Sequence, residues 1–152
     1  MTHILTAWTV STLLGFRFKQ FTQPYSAIVI LGALIPDLYK IHYLFELIGL
    51  QLGSYFMFIH LPIGSLLIAG IIVQFFERRK FVYFLLVLGI FTHFALDLLL
   101  FSGGMSLLYP LSLSKYQIGI ISATDPNITT LSIIIALVVY LFYRKVNLQK
   151  KL

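Results

Sequence analysis

The chain has no cysteine among its 152 residues. That excludes disulfides, thiolate metal sites and a cysteine nucleophile, and leaves the redox compartment open. Any metal site must be built from His, Asp and Glu, a donor set suited to zinc, manganese or iron rather than copper(I). Acids are scarce too: five Asp and Glu stand against eleven Lys and Arg, giving a net charge of +6. This excess does not read as a nucleic-acid footprint. Arg17 and Lys19, Arg78-Arg79-Lys80, and Arg144-Lys145 with Lys150-Lys151 sit at the ends of apolar runs, where Lys and Arg fix orientation in a bilayer. No nucleic-acid partner is expected. Nor does a positive segment precede the first apolar run or a small-residue cleavage site follow it, so that run is not read as a cleavable signal.

What the chain has in abundance is apolar residues, 59% of the total, with a mean hydropathy of +0.95. An ordinary soluble domain runs near half. Runs long enough to cross a bilayer recur, so residues 1–152 are expected to form a single all-α integral membrane domain. The expected fold is a polytopic helix bundle of about four to five transmembrane helices plus one interfacial helix.

The first helix is predicted over 3–16 and the second apolar run over about 24–36. Pro36-Asp37 suits the first turn of a new helix. From Asp37 to about Leu50 the pattern is amphipathic, with Lys40, His42 and Glu46 among leucines and isoleucines, which places this helix in the interface. A third run, Tyr55 to Phe76, is long enough to span and is expected to kink at Pro62. A basic turn, Glu77-Arg78-Arg79-Lys80, leads into a fourth run from Phe81 to Phe101. Residues 102–126 form a long irregular connection, the kind that is functional or disordered in a small domain. The last helix starts near Asn127 and ends in the basic tail. With the basic clusters inside, the chain is expected to be a multi-pass protein of the cell (inner) membrane with a cytoplasmic C-terminus.

The fourth run ends in the stretch Thr92-His93-Phe94-Ala95-Leu96-Asp97. Residues four apart on a helix share a face, about 6 Å apart along the axis. An ionised Asp near a helix centre in lipid costs about 3 kcal/mol on insertion scales. A metal ion, or a tight pair with His93, would offset that cost. Four more acids and histidines fall on the same, outer side of the map: His3, Asp37, His60 and Asp125. Each has a bland reading. His93 and Asp97 can satisfy each other inside the bundle. Asp37 suits a helix first turn, Asp125-Pro126 is a natural cap, His3 sits at the terminus, and His60 can bond a carbonyl that Pro62 leaves free. His42 and Glu46 share the spacing of His93 and Asp97, but an interfacial helix carries such a pair on its wet face at little cost. What favours a site is convergence on one leaflet, since intramembrane ionisable groups mark functional sites by default.

Several stretches also occur together in order: Gly32-Ala33-Leu34-Ile35-Pro36-Asp37, the His60 helix, Thr92 to Asp97, Met105-Ser106-Leu107-Leu108-Tyr109-Pro110-Leu111-Ser112, and Asp125-Pro126. In this the chain resembles the bacterial and archaeal inner-membrane metal-dependent hydrolases, the YdjM-like family, over nearly its whole length. The resemblance implies ligand roles for His3, Asp37, His60, His93 and Asp97, with Asp125 near the site. Two positions depart from the family pattern. Tyr39 stands where a second carboxylate is often found, and only His60 remains of two histidines usually five apart.

The leading expectation is a membrane-embedded hydrolase with one or two divalent ions near the outer face, zinc first, manganese or iron as alternatives. His93 and Asp97 would be core ligands, completed by Asp37, His60 and His3, with Asp125 or Asp37 as proton acceptor. Thr92, Ser112 and Tyr109 are candidates for orienting the histidines. A site near the leaflet surface reaches lipid head groups, which points to membrane lipids as partners and a phospholipid or polyprenyl phosphate ester as substrate. The rival reading is a metal-binding or transport protein with the same residues in a permeation path. A transporter needs polar groups through the inner half as well, where the sequence offers Ser11, Thr12 and Gln74. A third reading is a structural or assembly partner that uses the interfacial helix.

Overall fold

The computed structural model describes residues 1–18, 21, 24–101, 104–122 and 126–149. The helices α1 (Thr2–Arg17), α2 (Tyr25–Leu34), α5 (Pro62–Ile72), α6 (Arg79–Leu99) and α7 (Pro126–Gln149) make the bundle. Two short helices, α3 (His42–Glu46) and α4 (Gly53–Phe56), lie between α2 and α5.

Ring and side-chain contacts set the directions. Tyr25 packs on Phe81 with centroids 5.1 Å apart, and the far end of α2 meets His93, so α2 and α6 run parallel. Thr2 meets Thr129 at 3.3 Å and Phe16 meets Phe142 at 5.3 Å, so α1 and α7 also run parallel. His3 reaches Asp97 near the end of α6, which sets α1 antiparallel to α6. Arg17, Arg78, Arg79, Lys80, Arg144 and Lys145 therefore gather at one end, called here the basic end. His3 and Asp97 lie at the opposite one.

The middle of the bundle is α6. Its 21 residues cover about 31 Å, the thickness of a bilayer core. One side of α6 puts Val82, Leu86, Ile90 and Phe94 into a cluster with Ile35, Ala69 and Val73. The other puts Leu85 against Ala7, Val29 and Ala33. The approach of α2 to α6 depends on glycine. A Cβ at Gly89 would overlap the Val29 carbonyl, and one at Gly32 would overlap the Leu86 carbonyl. With hydrogen in both places the two backbones touch.

Among the described residues, α6 and α7 are each long and apolar enough to span, and two bent helix pairs raise the count to four. The bends are sharper than the sequence suggests. The expected interfacial helix from Asp37 to Leu50 is a 3-10 turn, Pro36–Ile41, followed by the five-residue α3, and the pair bends 49° from α2. Pro36 has no N–H to give the helix ladder, so the ladder breaks there. The expected span from Tyr55 to Phe76 is bent by 79° between Gly53–His60 and Pro62–Phe75. Leu61 is extended ahead of Pro62, which opens α5 as its first residue.

The connection after α6 is irregular along most of its described residues, as expected, but it is tied down at a few points. Leu100–Phe101 (β1) pairs in parallel with Ile121–Ser122 (β2), and Met105 and Tyr116 exchange backbone hydrogen bonds of 3.0 and 2.9 Å. The N–H of Ile118 donates to the Leu98 carbonyl at 2.8 Å, tying the segment to the end of α6.

Candidate metal centre

Five of the six residues singled out in the sequence meet at the end opposite the basic clusters. Asp97 is their focus. His93 Nε2 lies 3.2 Å from Asp97 Oδ2, one helical turn apart as the spacing requires. His60 Nε2 lies 3.4 Å from the same oxygen, and His3 Nε2 lies 3.4 Å from Oδ1. The His3 and His93 rings stack with centroids 3.8 Å apart, and His60 meets His93 edge-on at 5.5 Å. Two overlapping groups, His3 with His93 and Asp97, and Asp37 with His60 and His93, each bring one donor atom per residue within 4.8 Å. Asp37 also pairs with Lys40 Nζ at 2.6 Å. Asp125 lies outside the described residues.

The backbone orients two of these rings. His93 Nδ1 lies 2.7 Å from the Ala33 carbonyl, and His60 Nδ1 lies 3.3 Å from the Pro36 carbonyl. A carbonyl only accepts, so each Nδ1 carries the proton and a neutral ring keeps its lone pair on Nε2. Those lone pairs point at the Asp97 carboxylate, which is itself an acceptor. His93 is 1% exposed, and its Nε2 is buried without a hydrogen-bond partner, as is His3 Nδ1. The Ala33 carbonyl is available because it belongs to the last turn of α2, whose carbonyls have no intrahelical partner. The contact of α2 and α6 across Gly32 and Gly89 brings it to His93.

Of the side chains expected to orient the histidines, Tyr109 lines the cavity beside the cluster, and the other two act elsewhere. Thr92 Oγ1 donates to the Gly89 carbonyl at 2.7 Å within its own helix. Ser112 Oγ accepts from the Ser114 N–H. Tyr39 lies against His60, centroids 4.7 Å apart, and stacks on His42 at 5.7 Å. His60 itself is held at a sharp corner, where Ser65 Oγ donates to the Ile59 carbonyl at 2.7 Å. His42 and Glu46 lie apart from the cluster, 3.6 Å from each other.

The cluster opens into a cavity of about 590 Å³. Its walls add Lys115, which the sequence reading passed over, and bring in Lys40 together with Ser106, Tyr109 and Met105 from the connection after α6. The signal for the two lysines was present. They are cations far from every basic cluster.

A family model described as YdjM inner membrane protein matches residues 1–151. The chain belongs to this family. No curated protein and no solved structure matches it. As a YdjM family member it is an inner membrane protein, in keeping with its spanning helices. The cluster at Asp97 is built from residues 3 to 97 of the YdjM match, drawn from α1, the turn after α2, the corner before α5, and α6.

Proposed function

We propose that the cluster holds one or two divalent ions, zinc before manganese or iron, and that the protein is a membrane-embedded hydrolase of lipid phosphoesters. One observation carries the reading: imidazole nitrogens from three separate segments converge on a single, largely enclosed carboxylate, 15% exposed. Protonation alone is a poor way to satisfy them. Two charged imidazoles stacked at 3.8 Å would repel by about 4 kcal/mol at an effective dielectric of about 20. A cation relieves the lone pairs on His60 and His93 and the Asp97 charge together. Donor atoms about 2.0–2.1 Å from a tetrahedral zinc stand about 3.3 Å apart. The separations of 3.2 to 3.4 Å between Asp97 and the histidines match that edge. The carbonyls of Ala33 and Pro36 fix tautomer and ring orientation in the way outer partners of metal-binding histidines do.

When bound, a divalent ion lowers the pKa of a water toward neutrality and polarises the phosphoryl oxygen under attack. The chain's own part is positional. His93 and Asp97 hold the centre from α6, His3 and His60 close it from two sides, and Asp37 is available to a second ion. Asp125 is our candidate for taking the proton from the attacking water. With the basic end cytoplasmic, the C-terminus lies inside and the cavity opens toward the outer leaflet, where phospholipid or polyprenyl phosphate head groups are within reach.

A transport reading asks for a continuous polar path. At the basic end a cleft of about 340 Å³ carries Thr12, Ser26, Tyr140 and Tyr143, with no charged side chain among its described lining residues. It shares no lining residue with the site cavity. Ala7, Val29, Ala33 and Leu85 pack as an apolar cluster on the same helices, which favours access from one end only. Elemental analysis of detergent-purified protein, with lipid-phosphate release measured alongside, tests the proposal. Stoichiometric zinc and phosphate release are expected. Metal without release across a lipid panel would favour transport, and no metal after reconstitution would end the hydrolase reading.

A further inference from the structure

Of the eight Lys and Arg among the described residues, six lie at the basic end. The other two, Lys40 and Lys115, both line the site cavity. Membrane proteins concentrate Lys and Arg on one side, so a pair on the other side, both facing one cavity, calls for a counter-charge there. Lys40 has one in Asp37. Lys115 has no ion pair or hydrogen bond among the described residues.

Lys115 does not hang from a loose loop. Tyr116, next to it, is locked to Met105 by the paired backbone hydrogen bonds. Across from it Gly104 takes a positive φ of 79°, and a Cβ there would come within 3.0 Å of Lys115 Cβ. Only glycine suits both the conformation and the space. The backbone thus presses close to the lysine stem and sets where the ammonium starts. Ser106, whose hydroxyl donates to the Leu113 carbonyl at 3.4 Å, and Tyr109 line the same cavity, and Met57, Leu61 and Met105 give it an apolar wall. A cation and an apolar wall beside a metal-type donor cluster suit a ligand that joins a phosphate to a hydrocarbon. Lysine is an established phosphate binder through its point charge.

We infer that Lys115 anchors the phosphate group of the substrate, with Lys40 beside it, and so selects phosphate esters over neutral esters or amides. The inference rests on the hydrolytic reading of the Asp97 cluster, and the test separates the two. Full-length protein, chelator-treated or zinc-loaded, is titrated calorimetrically with inorganic phosphate and with a short-chain phosphatidic acid. Wild type is compared with Lys115→Gln, Lys115→Arg and, as an equal change of net charge at the basic end, Lys80→Gln. Loss of one charge-assisted contact weakens binding by about 10- to 100-fold. At least a tenfold loss is expected for Lys115→Gln, little change for Lys115→Arg and Lys80→Gln, and the same zinc content in all. An equal loss for both probes identifies phosphate itself as the ligand, whereas loss confined to phosphatidic acid identifies the lipid head group. If Lys115→Gln binds both probes as wild type does, or wild type binds neither, the anchor is overturned even where zinc is retained. If wild type holds no zinc but Lys115→Gln still weakens phosphate, the hydrolytic reading fails and the anchor stands.

Discussion

The molecule contains the same short motif twice. His93 with Asp97 and His42 with Glu46 are both His-acid pairs one helical turn apart. In both, the His Nδ1 lies on a backbone carbonyl, Ala33 at 2.7 Å and Tyr39 at 2.6 Å. Locally they are near twins. They differ in what surrounds them. Asp97 receives two further imidazoles from distant segments, whereas Glu46 is 45% exposed and, among the described residues, pairs with His42 alone. Spacing on a helix makes a pair, and only tertiary convergence makes a centre.

The largest expected effect separates the two pairs directly. His93→Ala or Asp97→Ala removes a shared donor, and zinc affinity should fall by at least about 100-fold, about 2.7 kcal/mol. His42→Ala and Glu46→Ala should leave zinc content at the wild-type level. Elemental analysis and competition with a chelating dye read both. Equal zinc loss from the two sets would erase the distinction.

A second comparison uses the glycine beside each pair. Gly89→Ala drives a methyl group into the Val29 carbonyl, so thermal stability in detergent should fall by about 1–3 kcal/mol as the helices part. Zinc should weaken as well, because the Ala33 carbonyl moves from His93. At Gly53 an added Cβ meets His42 at an ordinary 3.4 Å. Gly53→Ala should therefore melt within about 0.5 kcal/mol of wild type.

Smaller still is the corner that carries His60. Ser65→Ala removes its bond to the Ile59 carbonyl, which should cost about 1 kcal/mol and loosen zinc a few-fold. A calorimetric scan with and without zinc separates the two effects. The smallest effect is expected from Glu46→Gln. A pair whose carboxylate is half in solvent contributes about 0–1 kcal/mol, so the melting temperature should barely move.

Much of this was legible in the chain. The apolar runs marked the spanning segments, since length and hydropathy are local properties. The His93 and Asp97 spacing put both on one face of α6, and the basic clusters implied which groups would share an end. Other features were not readable. Two histidines are oriented by main-chain carbonyls of Ala33 and Pro36, and no side-chain pattern announces a carbonyl. The 79° corner at Leu61–Pro62 looked like a kink because proline marks a break without fixing its angle. The fold of residues 104–122 rests on a few backbone bonds between segments more than ten residues apart, beyond any local periodicity. Lys115 went unnoticed because its meaning depends on that fold.

The centre draws on residues from His3 to Asp97, nearly two thirds of the chain, and this bears on biosynthesis. The first of these side chains to leave the ribosome must wait in the bilayer for the last. Until α6 has entered the membrane, His3 and His60 have no carboxylate of Asp97 to face. α7 supplies none of these five side chains and can join afterwards. On the proposed metal-binding reading, capture is a late event in assembly, and a chain stalled before residue 97 would reach the membrane without the complete cluster.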